Sequence, residues 1–361
     1  MAERIYLDHA ATTPMRPQAI AAMEDAMRGF ANPSSPHAEG RAARAALEDA
    51  RLRIKAALGW DGELIFTSGA SEAIAIALRR GKGGDRLVGA IEHDSVLRMA
   101  GDARRIPVLP GGQIDRELLC ALLTRSDAPL VAVQHVNSEL GAIQPVADIA
   151  ADVRTKGGLL FSDCSQSAGK HALPDADMIA LSAHKFGGPP GIGALLVREF
   201  SVLEASGGQE FGYRGGTENL PGALGMAAAL EAREVDEDGT ATWLSALRPA
   251  LLDLQMKLAD AGGVQIAPGG SRAICNWAMP GVKSATQLIR FDITGIAVSA
   301  GSACSSGTLK SSHVLRAIRT PGDLADCAIR VSVGWNTTPE HIAAFAEAWT
   351  RIAQDARSRA A

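Results

Sequence analysis

An α/β fold, with a mostly parallel sheet in a large domain and a smaller α+β domain at the C-terminal end, is the architecture this 361-residue chain predicts. Three observations lead there. Short apolar runs alternate with helical patterns through most of the chain, as parallel strands joined by crossover helices require. From about Asn219 the pattern changes to long helices followed by short mixed elements. Polar and glycine-rich residues also collect where the apolar runs end, which is where open α/β sheets bind ligands.

The runs Glu63–Thr67, 86–91, 129–134, 158–163 and Met178–Ser182 are largely apolar, which suits strands buried on both faces. Between them, 38–58 sets Ala43, Leu47, Ala50, Ile54 and Leu58 on one helical stripe, and 70–80 and 146–156 behave similarly. Beyond that, helices are expected over 219–235 and 242–261, then a strand over 328–333 and a helix from Thr338. Residues 16–240 are read as the large domain, with 1–15 and 241–361 forming the small one.

Composition narrows the function. Hydrophobic residues make up 47% and charged residues 21%, ordinary for a water-soluble globular chain. A net charge of −4 offers no electrostatic case for nucleic acid or an anionic membrane as partner. The start, MAERIYLDHAATTP, carries no basic stretch followed by an apolar one, so no secretory signal is read. No run approaches the roughly 20 apolar residues of a membrane span. A cytoplasmic location is expected.

Five cysteines (Cys120, Cys164, Cys275, Cys304 and Cys327) are widely spaced, with no CxxC pair, so neither a disulfide framework nor a thiolate zinc site is expected. Cys304 stands apart from the others. It lies in Ser299-Ala-Gly-Ser-Ala-Cys-Ser-Ser-Gly307, a small polar run unsuited to a core, where a reactive thiol would have access.

The strand ends carry the remaining chemistry. Phe66-Thr-Ser-Gly-Ala-Ser-Glu72 runs from a strand into a helix, and the N–H groups of Ala70 and Ser71 with nearby hydroxyls make an anion site. His93 follows the next strand and is suited to stacking on a planar ligand and to moving protons. His135-Val-Asn137 closes a third, where it either caps a helix or faces a ligand. Asp163 ends a strongly apolar strand with no cation beside it in sequence, either as a helix cap or as the partner of a ligand. Lys185 emerges between a buried strand and a Gly/Pro loop, where a lysine can form a Schiff base with an aldehyde. Pyridoxal 5'-phosphate needs those three things together: a lysine for its aldehyde, an acid for its pyridinium nitrogen and an anion site for its phosphate.

With these residues assembled, the sequence resembles the cysteine desulfurases, pyridoxal-phosphate enzymes of fold type I. The likeness includes Tyr6-Leu-Asp-His-Ala-Ala-Thr-Thr-Pro14, Asn32-Pro-Ser-Ser35, Thr67-Ser-Gly-Ala-Ser-Glu72, Asp163-Cys-Ser-Gln166 and Ser182-Ala-His-Lys185. It continues through Gly207-Gly-Gln-Glu210, Arg214-Gly-Gly-Thr-Glu-Asn219, Ser302-Ala-Cys-Ser-Ser306 and Ile329-Arg330. The run around Cys304 is similar to the long-loop subgroup, which serves iron–sulfur cluster assembly and thiolation.

The resemblance implies roles. Lys185 would bind the cofactor aldehyde, Asp163 support the ring nitrogen, Gln166 the ring oxygen, and His93 stack and shuttle protons. Ala70, Ser71, Ser182 and His184 would hold the phosphate, and Thr217 the phosphate of a neighbouring subunit, implying a homodimer. Asn137 would contact the cofactor, Arg330 and Asn32 the substrate, and Cys304 would take sulfur from L-cysteine as a persulfide for an acceptor or scaffold protein.

Three departures stand out. Ser138 replaces a second asparagine after Asn137, Gly215 a usual serine and Pro190 a usual lysine, all implying altered contacts to the cofactor. The chain ends about thirty residues past Arg330, which implies weaker or different docking of a cluster scaffold. Two other readings stay open: another pyridoxal-phosphate enzyme, such as an aminotransferase or selenocysteine lyase, and a non-catalytic regulatory homologue.

Overall fold

The computed structural model describes residues 4–29, 31–301 and 312–360. Seven strands form the main sheet, in the spatial order Glu63–Thr67, Gly193–Val197, Met178–Ser182, Leu159–Asp163, Leu130–Ala132, Arg86–Gly89 and Arg104–Ile106. All five expected strands are present. Along each, neighbouring side chains point to opposite faces. Leu64, Phe66, Ile179 and Leu181 pack beneath the Ala38–Leu58 and Leu220–Glu231 helices. Ile65, Met178 and Ala180 face the Ala70–Arg80 helix on the other side. Burial on both faces explains why the strands read as continuous apolar runs rather than alternating ones.

The Gly193–Val197 strand is a correction to the sequence reading, which treated the Gly/Pro-rich stretch around it as loop. It runs antiparallel to both neighbours and pairs Gly193 with Thr67 on one side and Ser182 on the other. A side chain at Gly193 would come within 2.7 Å of the Gly69 Cα, so glycine here lets the 68–70 turn close over the strand. This strand draws the ends of Glu63–Thr67 and Met178–Ser182 together. The anion loop and the lysine loop consequently open on the same side.

A second region has its own core. An antiparallel sheet orders Ala328–Ser332, Ile274–Ala278 and Val264–Ile266, backed by the Arg248–Asp260 and Pro339–Ala360 helices. Leu258, Trp277, Phe291, Phe345 and Trp349 fill it. The N-terminal strand Ile5–Tyr6 joins this region by pairing in parallel with Ile296–Ala297, and Asp8 bridges to Ser332. The helix expected over 242–261 is instead two, Thr242–Ala246 and Arg248–Asp260. Pro249 sits in the first turn of the second, where its missing N–H costs nothing. Likewise, the helix expected from 219 begins at Leu220, with the Asn219 side chain accepting from the Gly222 N–H as its cap (3.0 Å).

Candidate active site

The strand ends surround a cavity of about 350 Å3, within the range of small-molecule sites. Ala70, Ser71, His93, Asp163, Gln166, Ser182, His184 and Lys185, all singled out in the sequence, line it together.

Lys185 closes a short helical turn after the Met178–Ser182 strand. Its Nζ donates to the carbonyls of Ala10 (2.6 Å) and Ala11 (2.8 Å) in the N-terminal segment. The Gln166 amide donates to the same Ala10 oxygen (2.8 Å). Asp163 is 8% exposed and makes no salt bridge among the described residues. Its Oδ1 accepts from the Ser165 backbone N–H (2.9 Å) and hydroxyl (2.6 Å), so it is both a turn cap and a pocket-facing carboxylate.

The opposite wall is built for an anion. The Ala70–Arg80 helix opens into the cavity at its N-terminus, where the first N–H groups have no partner within the helix. Gly69, at φ +152°, supplies the turn that aims them there. Ser68, Ser71, Ser182 and His184 line the same cavity. Burial holds the His184 pKa down, to about 4, so its imidazole is neutral. The cavity thus brings together an anion cradle, a carboxylate and a lysine, a donor set that fits the phosphate, ring nitrogen and aldehyde of pyridoxal phosphate.

His93 caps the Asp94–Ala100 helix. The Ser95 N–H donates to its Nδ1 (3.2 Å), which places the proton of the neutral ring on Nε2. Glu92, one residue earlier, is 1% exposed; the Gln134 N–H donates to its Oε1 (2.8 Å), and its Oε2 has no partner. Burial pushes its pKa well above the usual carboxylate range, with Asp163 adding to the effect. Burial thus favours the protonated form of the acid behind the pocket.

Four predicted residues lie elsewhere. Asn137 is 1% exposed behind the wall, donating to the Ile91 carbonyl (3.1 Å) and accepting from the Glu139 and Leu140 N–H groups. Arg330 is 2% exposed; its guanidinium donates to Asp8 (2.6 Å) and to the carbonyl of pocket residue Ser138 (3.1 Å). Asn32 and Thr217 are exposed and outside the cavity. Cys304 lies outside the described residues. Of the other thiols, burial pushes Cys164 up to about 12 and Cys275 to about 11, leaving both unreactive near neutrality. Among the three departures, Ser138 and Pro190 line the cavity, whereas a side chain at Gly215 would meet nothing within 4 Å.

Sequence reasoning missed Lys170 and Glu139. Lys170 is 3% exposed and donates to the Gln166 carbonyl (3.1 Å). The signal was available: it is the sole lysine or arginine between Lys156 and Lys185. Glu139 accepts from the Ser312 hydroxyl (2.6 Å) and leaves no room for a side chain at Gly301, so it touches both sides of the run that carries Cys304.

This fold and site define a class, and comparison with known proteins agrees. The family model described as Aminotransferase class-V matches residues 5–345. The chain is 33% identical to a cysteine desulfurase IscS of Dictyoglomus turgidum, over 99% of this chain and 96% of that one. It is 35% identical to a cysteine desulfurase of Cereibacter sphaeroides, over 94% and 93%. Among solved structures, a NifS-like protein from Rickettsia africae superposes with a TM-score of 0.85 at 28% identity, covering 97% of this chain and 99% of that one. The chain belongs to the class-V aminotransferase family and, within it, to the cysteine desulfurases. Members of this family use pyridoxal phosphate.

Proposed function

We propose that this chain binds pyridoxal 5'-phosphate and converts L-cysteine to L-alanine, passing the sulfur through Cys304 to an acceptor protein. The convergence of Lys185, Asp163 and the Ala70–Ser71 helix start on one cavity carries the reading. A solved relative at 28% identity, described as SspA in complex with cysteine, supports the substrate. The cofactor, when bound, supplies an aldehyde that captures the amino group and a ring that withdraws electrons from the substrate carbon.

The chain's own residues do the rest. Lys185 Nζ would hold the aldehyde end. Asp163 would keep the ring nitrogen protonated, since a carboxylate in a low-dielectric pocket strongly favours a cation beside it. Gln166 would set the ring oxygen, and the helix N-terminus with Ser71, Ser182 and His184 the phosphate. His93, with its proton on Nε2, would pass protons at the ring face. Arg330 would orient the substrate carboxylate near Ser138, with Asn32 a further substrate contact. The Cys304 thiolate would attack the substrate sulfur. The carbon–sulfur bond breaks, its electron pair stays on carbon and takes up a proton to give alanine, and the sulfur remains on Cys304 as a persulfide.

Thr217, exposed and not among the residues lining its own chain's cavity, would serve the phosphate of a second copy, making the working form a homodimer. Iron–sulfur assembly or thiolation in the cytoplasm is the pathway class that suits such a sulfur donor. No described helix is long and apolar enough to cross a membrane.

The test is alanine formation from L-cysteine with a thiol reductant, using wild type, Cys304→Ala and Lys185→Ala. The expected result is loss of turnover in both variants, with cofactor colour kept in Cys304→Ala and lost in Lys185→Ala. Full activity in Cys304→Ala would overturn the persulfide route and favour a lyase or aminotransferase that has no need of that thiol.

A further inference from the structure

Lys170 is an unusual cation. At 3% exposure it has no carboxylate within ion-pair distance among the described residues. Its Nζ donates to the Gln166 carbonyl (3.1 Å) and lies 3.5 Å from the Gln166 Oε1. Its backbone is held at both ends, the N–H by the Ser167 carbonyl and the carbonyl by the Ala241 N–H. A buried ammonium without an anion is costly, and folds keep one only where something offsets the cost.

Two routes connect it to Lys185. Lys170 and Lys185 both line a cavity of about 10 Å3, room for a single water at most. The second route is through bonds: Lys170 meets Gln166, the Gln166 amide donates to the Ala10 carbonyl, and Lys185 donates to that same oxygen. Among the described residues, the groups electrostatically coupled to Lys170 are basic: Lys185, Arg330, His9, His171 and His184. Asp8 is committed to Arg330, and Asp163 is capped by Ser165.

We propose that Lys170 is a positioning residue for Lys185: it fixes the Gln166 amide from behind and, as a second amine lining the same small cavity, favours the neutral form of Lys185. The inference rests on Lys185 being the cofactor-holding lysine. Condensation of an amine with an aldehyde forms a carbon–nitrogen double bond and releases water, and only the unprotonated amine has the lone pair to begin it. Two ammonium groups lining one small cavity repel, which disfavours the doubly protonated pair. Burial, with Lys185 and Arg330 adding to it, lowers the Lys170 pKa to about 7, in keeping with such a pair.

The experiment follows the capture of added pyridoxal phosphate by the full chain freed of cofactor, through the growth of its visible absorbance between pH 6 and 9. Wild type, Lys170→Met, Lys170→Arg and Lys185→Ala are compared. In Lys170→Met the midpoint of the pH–rate profile is expected to move up by about one unit, slowing capture at pH 7 about tenfold. Lys170→Arg, which keeps a cation, is expected to restore the midpoint. An unshifted midpoint in Lys170→Met would overturn the proposal and leave Lys170 a packing residue. Capture at the wild-type rate by Lys185→Ala would instead overturn the assignment of Lys185. Should Lys170→Met fail to fold, wild type alone decides: reductive methylation with formaldehyde and cyanoborohydride, read by mass spectrometry, is expected to label Lys185 at a lower pH than the exposed lysines. Labelling of Lys185 only in the pH range of ordinary lysines would overturn the proposal.

Discussion

Two buried cations divide the molecule instructively. Arg51, 4% exposed, donates twice to Glu210 (2.8 and 3.0 Å), and Glu210 also accepts from the Phe66 N–H (2.8 Å). This pair ties the Gly207–Glu210 motif to the Glu63–Thr67 strand, and Glu210 and Phe211 tolerate positive φ to reach it. Lys170, equally buried, meets only Gln166 oxygens among the described residues. Arg51 is a fastener whose charge is fully answered. Lys170 is an unanswered charge beside the pocket, and that asymmetry separates structural from functional burial of the same charge.

The comparison can be broken in several places. The largest effect is expected at the pocket: Lys185→Ala should abolish turnover and the cofactor's visible band together, checked by absorbance and alanine release. Next is the fastener. Glu210→Ala removes the bidentate partner of Arg51 and leaves it Glu48 alone as a carboxylate, which should cost about 3 kcal/mol in urea unfolding, whereas Arg51→Met with Glu210→Met together should cost less. A cost for the double variant equal to that of Glu210→Ala would mean the pair carries no such penalty.

The third prediction turns on pH. Lys170 titrates at about 7 in the fold against 10.5 unfolded. Between those values the unfolded chain binds a proton that the folded chain does not, so this group makes stability rise with pH. The stability of wild type relative to Lys170→Met should therefore increase from pH 7 to pH 10, by at most roughly 1.4 kcal/mol per pH unit. Arg51, protonated in both states and held above its ordinary value by Glu210 and Glu48 against the opposing effect of burial, should give no such slope. Parallel urea titrations at the two pH values measure both. The smallest effect is expected at Gly215→Ser, where the space is open: stability should stay within about 0.5 kcal/mol.

Much of this was legible in the residues. The five buried strands announced themselves because burial on both faces demands unbroken apolar runs. Asp163 and Lys185 stood out because a charged group at the end of such a run needs a reason. The Gly193–Val197 strand was hidden because its glycine-rich approach reads as a turn. Its identity as a strand comes from hydrogen bonds to Thr67 and Ser182, residues far away in the chain. The resemblance implies that Arg330 clamps a carboxylate, but its ion pair with Asp8, 322 residues distant, could not be read from the chain.

The sequence by itself determined the fold class and pointed to a lysine, an aspartate and a Ser/Gly loop at strand ends as candidates, since each follows from local periodicity and the cost of burying charge. Only the tertiary structure decided which of those residues share a cavity, that the Asp8–Ala11 segment meets Arg330, Gln166 and Lys185, and that Lys170 is buried without an anion. Those facts depend on which distant segments meet, and long-range pairing leaves no periodic trace along the chain.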